Sequence, residues 1–383
     1  MPSPNPLPTA LDSIDSPSMR RAGRELLSLA LMDARNHTLH LMTCIAQASG
    51  AAAGPLPVVP ETSRPLWLAG HIGWFPEFWI GRNTQAHLGP ACPARPTRLA
   101  SIEADADRWW SFDTSPSATQ WALDLPDLAA TKGYLLETLE SSLSLLEKTP
   151  EDDDALYFFR LALVYEDRCG EELITLAQAL GLTLPLDAPV GLTVREPLAI
   201  PATRWMLGSP RGGFVLDNEQ WAHEIAVPEF EIDAQPVTWA QFVEFVDDGG
   251  YDRDDLWQPA GWDWLQEQEQ REGRRGPRYV EQIGVARQGS GGAVLQTRFG
   301  KPTRMAGNQL AMHLSWWEAD AWTRWAGRRL PTEVEWEIAA HTAVRRGFRW
   351  GDVHEWMANT LRPWPGFSPG PWDSYSAPWF GRA

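Results

Sequence analysis

The chain has 383 residues, a formal charge of −17 and an ordinary apolar content. That acidity argues against nucleic acid or an anionic membrane as a partner, since both need a basic face, and no run approaches the roughly 20 apolar residues of a membrane span. Its length predicts two domains. The three cysteines, Cys44, Cys92 and Cys169, are far apart and odd in number. They form neither a disulfide framework nor a zinc motif, which predicts a reducing, cytoplasmic setting. Most of the 22 tryptophans lie after residue 200, so that half must hold them in packed walls and a pocket.

Residues 1–19 are rich in Pro and Ser and read as a flexible leader, without the basic and apolar regions of a signal peptide. A helix is predicted from Arg20 to about Ile45, where Leu26, Leu29, Met32 and Leu39 recur at helical spacing. Gly50–Pro60 reads as a loop. A second helix follows from Pro65 to about Arg82, with Pro65 suited to the first turn. Residues 89–118 read as irregular, and further helices are predicted over about 125–147 and 152–180. Four long helices over residues 20–184 suggest an antiparallel bundle.

Pro185–Pro201, with four prolines, reads as a linker. From residue 202 to 383 helical periodicity is rare and Gly, Pro and Trp are frequent, which predicts a loop-rich α+β domain. Helices are expected at Pro236–Val246, at Ser315–Ala326 with a Ser315/Glu318 capping box, and at Thr332–Ala340 with a Thr332/Glu335 box. There is no P-loop, GxGxxG, Ser-His-Asp or CxxC pattern.

One stretch of the fourth helix, Leu161 to Ile174, carries the chemical interest. Tyr165 and Cys169 are four residues apart and share a helix face, while the second helix carries a lone His71 among aromatics. A histidine on one helix and an i, i+4 pair on another is the geometry of a facial three-ligand metal site, although phenol and thiol are unusual occupants. Two readings stay open. In one, Tyr165 and Cys169 are buried fillers on a helix that keeps its packing. In the other, they bind a metal as phenolate and thiolate, each at the cost of a proton with a high reference pKa.

Several runs resemble the formylglycine-generating-enzyme (sulfatase-modifying factor) fold. They are Met206-Leu-Gly-Ser, Asp217-Asn-Glu with His223-Glu, His313-Leu-Ser-Trp-Trp-Glu-Ala-Asp-Ala, Gly327-Arg-Arg-Leu-Pro-Thr-Glu-Val-Glu-Trp and Gly351-Asp-Val-His-Glu-Trp356. No cysteine follows Cys169, so formylglycine formation itself is excluded. The N-terminal half resembles a DinB-like bundle. The two in this order look like the ergothioneine sulfoxide synthase family, and Leu26–His37 with Glu166–Leu173 look most like its selenoneine synthase branch.

That resemblance implies a non-haem iron(II) enzyme that uses O₂ to join hercynine (trimethyl-histidine) to a thiol or selenol cosubstrate. His71 matches the family's first ligand position, and Tyr165 and Cys169 fall where the family has histidines. Trp364 and Trp372 stand where its catalytic phenol is expected, which leaves Tyr375 as the nearest phenol. Trp356, Trp364 and Trp372 could hold a trimethylammonium group by cation–π attraction, and Arg82 could face a carboxylate. His313 and His354, beside motif tryptophans, read as structural. The chain stops after Trp379-Phe-Gly-Arg-Ala383, before two strands expected from the family, and so reads as truncated. The alternative is a catalytically inactive relative that binds only a small molecule or a protein.

Overall fold

Four long helices dominate the first half of the chain in the computed structural model, which describes residues 14, 16–51, 57–59, 62–111, 117–187, 189–284 and 294–381. Most of the leader and of the Gly50–Pro60 loop lies outside the described residues. Two compact units are present. The first runs to Pro185 and adds Ser209–Trp221 and Pro363–Pro378; the second holds Leu186–Gly208, Ala222–Arg362 and the residues from Trp379.

In the first unit, helix α1 is Arg24–Ala51, α2 is Pro65–Pro76, α3 is Leu128–Leu146 and α4 is Tyr157–Ala179. Each of α2 and α1 packs on both α3 and α4, so the four share one core. Helix α2 begins with Pro65 at its first turn and is buried from Trp67 to Pro76. After Pro76 it continues as a π turn, Glu77–Gly81, rather than the regular helix that periodicity predicts. A proline inside a helix removes one N–H donor and crowds the preceding turn, which accounts for the change of pitch. Glu77, buried in that turn, accepts hydrogen bonds from the Tyr134 hydroxyl at 2.5 Å and the Ile102 amide at 2.6 Å.

The register of α4 is fixed by a buried ion pair. Arg35 of α1 donates from Nε to Glu166 Oε1 at 2.7 Å and from Nη2 to Oε2 at 3.0 Å. The Thr38 hydroxyl adds a third contact to Glu166 at 2.9 Å, and Arg35 Nη1 reaches the Leu135 carbonyl of α3. Three helices are thus tied at one point with every charged atom partnered, the condition under which a buried pair is tolerable.

The second unit mixes helices with small sheets. Strands β1 (Leu198–Ile200) and β4 (Phe230–Ile232) pair antiparallel, as do β2 (Thr203–Leu207) and β3 (His223–Val227). Strands β5 (Val280–Ile283), β6 (Val294–Arg298) and β7 (Lys301–Met305) form a three-stranded antiparallel sheet. Helix α5 is Trp239–Asp247, α6 Pro259–Glu272, α7 Trp316–Trp325 and α8 Glu333–Thr342. Both expected capping boxes are present, at Ser315/Glu318 and Thr332/Glu335. Trp239, Phe242, Phe245, Leu265 and Trp322 close one core with Val294 and Met305 of the sheet.

Removing one partner of the Arg35–Glu166 pair leaves a charge buried and alone. Arg35→Met or Glu166→Leu singly should destabilise the first unit by about 3–5 kcal/mol, whereas the double variant should recover most of that loss. Urea unfolding followed by circular dichroism checks both.

Candidate functional site

His71 projects from α2 into the bundle core and is fully buried. Trp67 and Trp74, one turn before and after it, sandwich its ring with centroids at 4.8 and 5.2 Å and interplanar angles of 11° and 25°. Its Nδ1 lies 2.5 Å from the Trp110 carbonyl. An acceptor there requires the proton on Nδ1, so Nε2 carries the ring's lone pair. Gly70 makes this approach possible: a Cβ at that position would lie 2.0 Å from Trp110 Nε1.

Helix α4 brings Tyr165 and Cys169 to the same place. Tyr165 meets the His71 ring edge-on at 5.6 Å and stacks on Phe75 with centroids 3.7 Å apart and planes 10° from parallel. Cys169 follows one turn on, buried and near enough to Tyr165 for each group to influence the other's ionisation. From residues 363–378 of the same unit, Trp372 contacts Phe75 and Tyr165 edge-on at 5.4 and 5.0 Å, and Tyr375 lies against Trp372 at 4.8 Å. The site is an aromatic cluster with a thiol and an imidazole embedded in it.

Electrostatics follow from that burial. Desolvation lowers the His71 imidazole to about 3, outweighing the Trp110 hydrogen bond that favours its protonated form. Desolvation pushes the Tyr165 phenol well above its ordinary range and raises the Cys169 thiol as well. All three groups are neutral at pH 7.

Residues 187–377 match the family described as a sulfatase-modifying factor enzyme 1-like domain. The formylglycine-generating enzyme of Streptomyces coelicolor is 29% identical over 42% of this chain and 52% of its own. Similarity to two hercynine oxygenases extends much further. That of Mycolicibacterium smegmatis is 30% identical across 93% of this chain and 88% of its own length. That of Mycobacterium tuberculosis is 31% identical across 84% and 82%. The chain belongs to the hercynine oxygenase family.

The iron implied by resemblance to the ergothioneine synthases can be tested against the donors that this family member presents. His71 offers a neutral nitrogen with a carbonyl behind Nδ1, the arrangement common to ligating imidazoles. Tyr165 and Cys169 bind metal only as anions, and burial opposes loss of both protons. Phe75 covers the phenol face. Among the described residues no three His, Cys, Asp or Glu side chains form a metal-holding group. The residues at this position do not fit iron(II).

The other expected site residues are placed as follows. Arg82 is buried and gives Asp107 a two-pronged ion pair, both contacts 2.8 Å, with Nε on the Leu99 carbonyl. Those hydrogen bonds hold the Asp107 carboxyl down at about 2. Its guanidinium therefore meets an internal carboxylate rather than one from a ligand. Trp364, Trp372 and Tyr375 lie in the first unit and Trp356 in the second, where it is exposed and donates to the Leu314 carbonyl at 3.0 Å. The Arg168 guanidinium sits 5.7 Å from the Trp372 ring centroid. Burial raises the Tyr375 phenol, so it keeps its proton. The aromatics that the sequence places around His71 are Trp67, Trp74 and Phe75, at offsets −4, +3 and +4 on the same helix face.

The low His71 value has a sign. In the metal-free protein the unfolded chain takes up a proton near pH 6.5 that the folded chain refuses until about 3. The stability this group contributes is complete above 6.5 and is lost as pH falls through that window, by up to about 1.4 kcal/mol per pH unit. His71→Phe should flatten the slope of unfolding free energy between pH 6.5 and 4 relative to the parent; an unchanged slope contradicts the assignment.

Proposed function

We propose that the protein takes hercynine as its small-molecule ligand in the ergothioneine pathway, and that the His71–Tyr165–Cys169 position is a packed floor rather than an iron centre. Similarity across most of the chain to relatives named hercynine oxygenases supports the ligand. The single observation that carries the second part is the burial of a phenol and a thiol, both held protonated by desolvation, where the resemblance calls for two imidazoles.

Within this reading, Trp364 and Trp372 of the first unit are candidate cation–π contacts for the trimethylammonium group, and Tyr375, against Trp372, is a neutral phenolic donor. At Trp372 the ligand's cation would compete with Arg168. Arg82 is engaged with Asp107, so another cation must meet the hercynine carboxylate. The odd, dispersed cysteines suit the cytoplasm, where this pathway would operate.

A second reading is favoured by the length of the similarity: oxygen-dependent C–S or C–Se bond formation between hercynine and a thiol or selenol donor, with iron supplied at this or another position. One experiment separates the two. Hercynine is titrated calorimetrically into metal-free protein, then incubated aerobically with cysteine, γ-glutamylcysteine or a selenosugar, with and without iron(II). Saturable binding that iron does not alter, with no iron-dependent sulfoxide or selenoxide by mass spectrometry, is the expected result. Iron-dependent product would establish the second reading, and absence of hercynine binding under any condition would remove the first.

A further inference from the structure

In the second unit, β6 presents Val294, Gln296 and Arg298 on one face, because side chains alternate along a strand. Val294 belongs to the buried core. Gln296 beside it has no exposed surface, and neither atom of its amide has a hydrogen-bond partner among the described residues. A buried amide with donor and acceptor both unmade is costly, and such groups ordinarily meet a ligand or an ordered water.

One step along the same face, Arg298 donates to the Asp187 carbonyl at 3.2 Å, and its guanidinium lies 5.7 Å from the Phe299 ring. Arg278 packs similarly, 5.2 Å from the Tyr279 ring. Neither meets a carboxylate among the described residues, whereas Arg204, Arg274, Arg324 and Arg349 of this unit each do. His313 joins the cluster: its ring meets Tyr279 edge-on at 5.0 Å and its carbonyl accepts the Arg278 amide at 3.2 Å. His313 is exposed, and partial desolvation together with the charges of Arg298 and Arg278 lowers its imidazole. At neutral pH it is an uncharged donor.

The backbone is unusual at the same place. Tyr279 and His313 both have φ of 65°, whereas Phe299, at 44°, opens the two-residue turn between β6 and β7, where such backbone is ordinary. Side chains rarely adopt this region, and such residues gather where a ligand is held.

We propose that Arg278, Arg298, His313 and Gln296 form a binding site for a small oxyanion, a carboxylate or a phosphate group. The guanidinium faces are taken by aromatic rings, which leaves their N–H edges for two-pronged contact with oxyanion oxygens. The buried amide and the neutral imidazole supply further donors. In a chain of net charge −17, cations without a carboxylate partner give this spot a local positive potential.

The test titrates the full chain with inorganic phosphate and, separately, with succinate. Tryptophan fluorescence and calorimetric heat are read, with chloride at matched ionic strength as the control. Saturable binding is expected, and whichever anion binds more tightly names the ligand class. Arg278→Gln and Arg298→Gln should each weaken it by about ten-fold or more. Gln296→Leu, an apolar replacement suited to a buried position, should weaken it as well. Arg298→Lys keeps charge and stem while losing the fork, so a loss of affinity there reports geometry rather than folding. No saturable binding to the parent, or parental affinity in both arginine-to-glutamine variants with unchanged circular dichroism and melting, overturns the proposal.

Discussion

The buried pairing of Arg35 with Glu166 fixes how α4 is rotated in the bundle. Glu166 faces Arg35 and Thr38 of α1, so Tyr165, one residue earlier and about 100° around the helix, is turned toward α2 and His71. Cys169 follows one turn later on the same side. Any residue at 165 or 169 would be delivered to this spot whatever its chemistry. The scaffold that presents the site and the donors within it are therefore separable, and this chain retains the scaffold.

Desolvation decides what the delivered groups can do. An imidazole there loses only its affinity for a proton and remains a competent neutral donor. A phenol and a thiol in the same dry setting lose their ability to ionise. Phe75 and Trp372 then pack on the phenol ring, as ordinary aromatic cores do. The outcome is a stabilising cluster at the position where resemblance expects reactivity.

Local rules made part of this legible in the sequence. The capping boxes at Ser315/Glu318 and Thr332/Glu335 were evident because four consecutive residues determine them. Tyr165 and Cys169 sharing a face followed from spacing alone. Helix α6 was not foreseen, since Gln266 to Glu272 has no apolar stripe; its only signals were Pro259 at the start and Gly273, left-handed at φ 63°, just past the end. The strands of the second unit, three to five residues each, are too short for alternation to declare itself. Arg82 was open to a ligand carboxylate in sequence because its partner Asp107 lies 25 residues on and is reached only through tertiary packing. The Phe75–Tyr165 stack and the Trp110 carbonyl behind His71 have the same origin.

The most direct measurement is the metal content of the protein after growth with iron, copper and zinc, beside His71→Ala and the double change Tyr165→His, Cys169→His. The account predicts no stoichiometric metal in the parent or in His71→Ala, and iron gained by the double variant on the existing scaffold. Stoichiometric iron in the parent that disappears with His71→Ala would show that His71, Tyr165 and Cys169 form a working centre, and would contradict it.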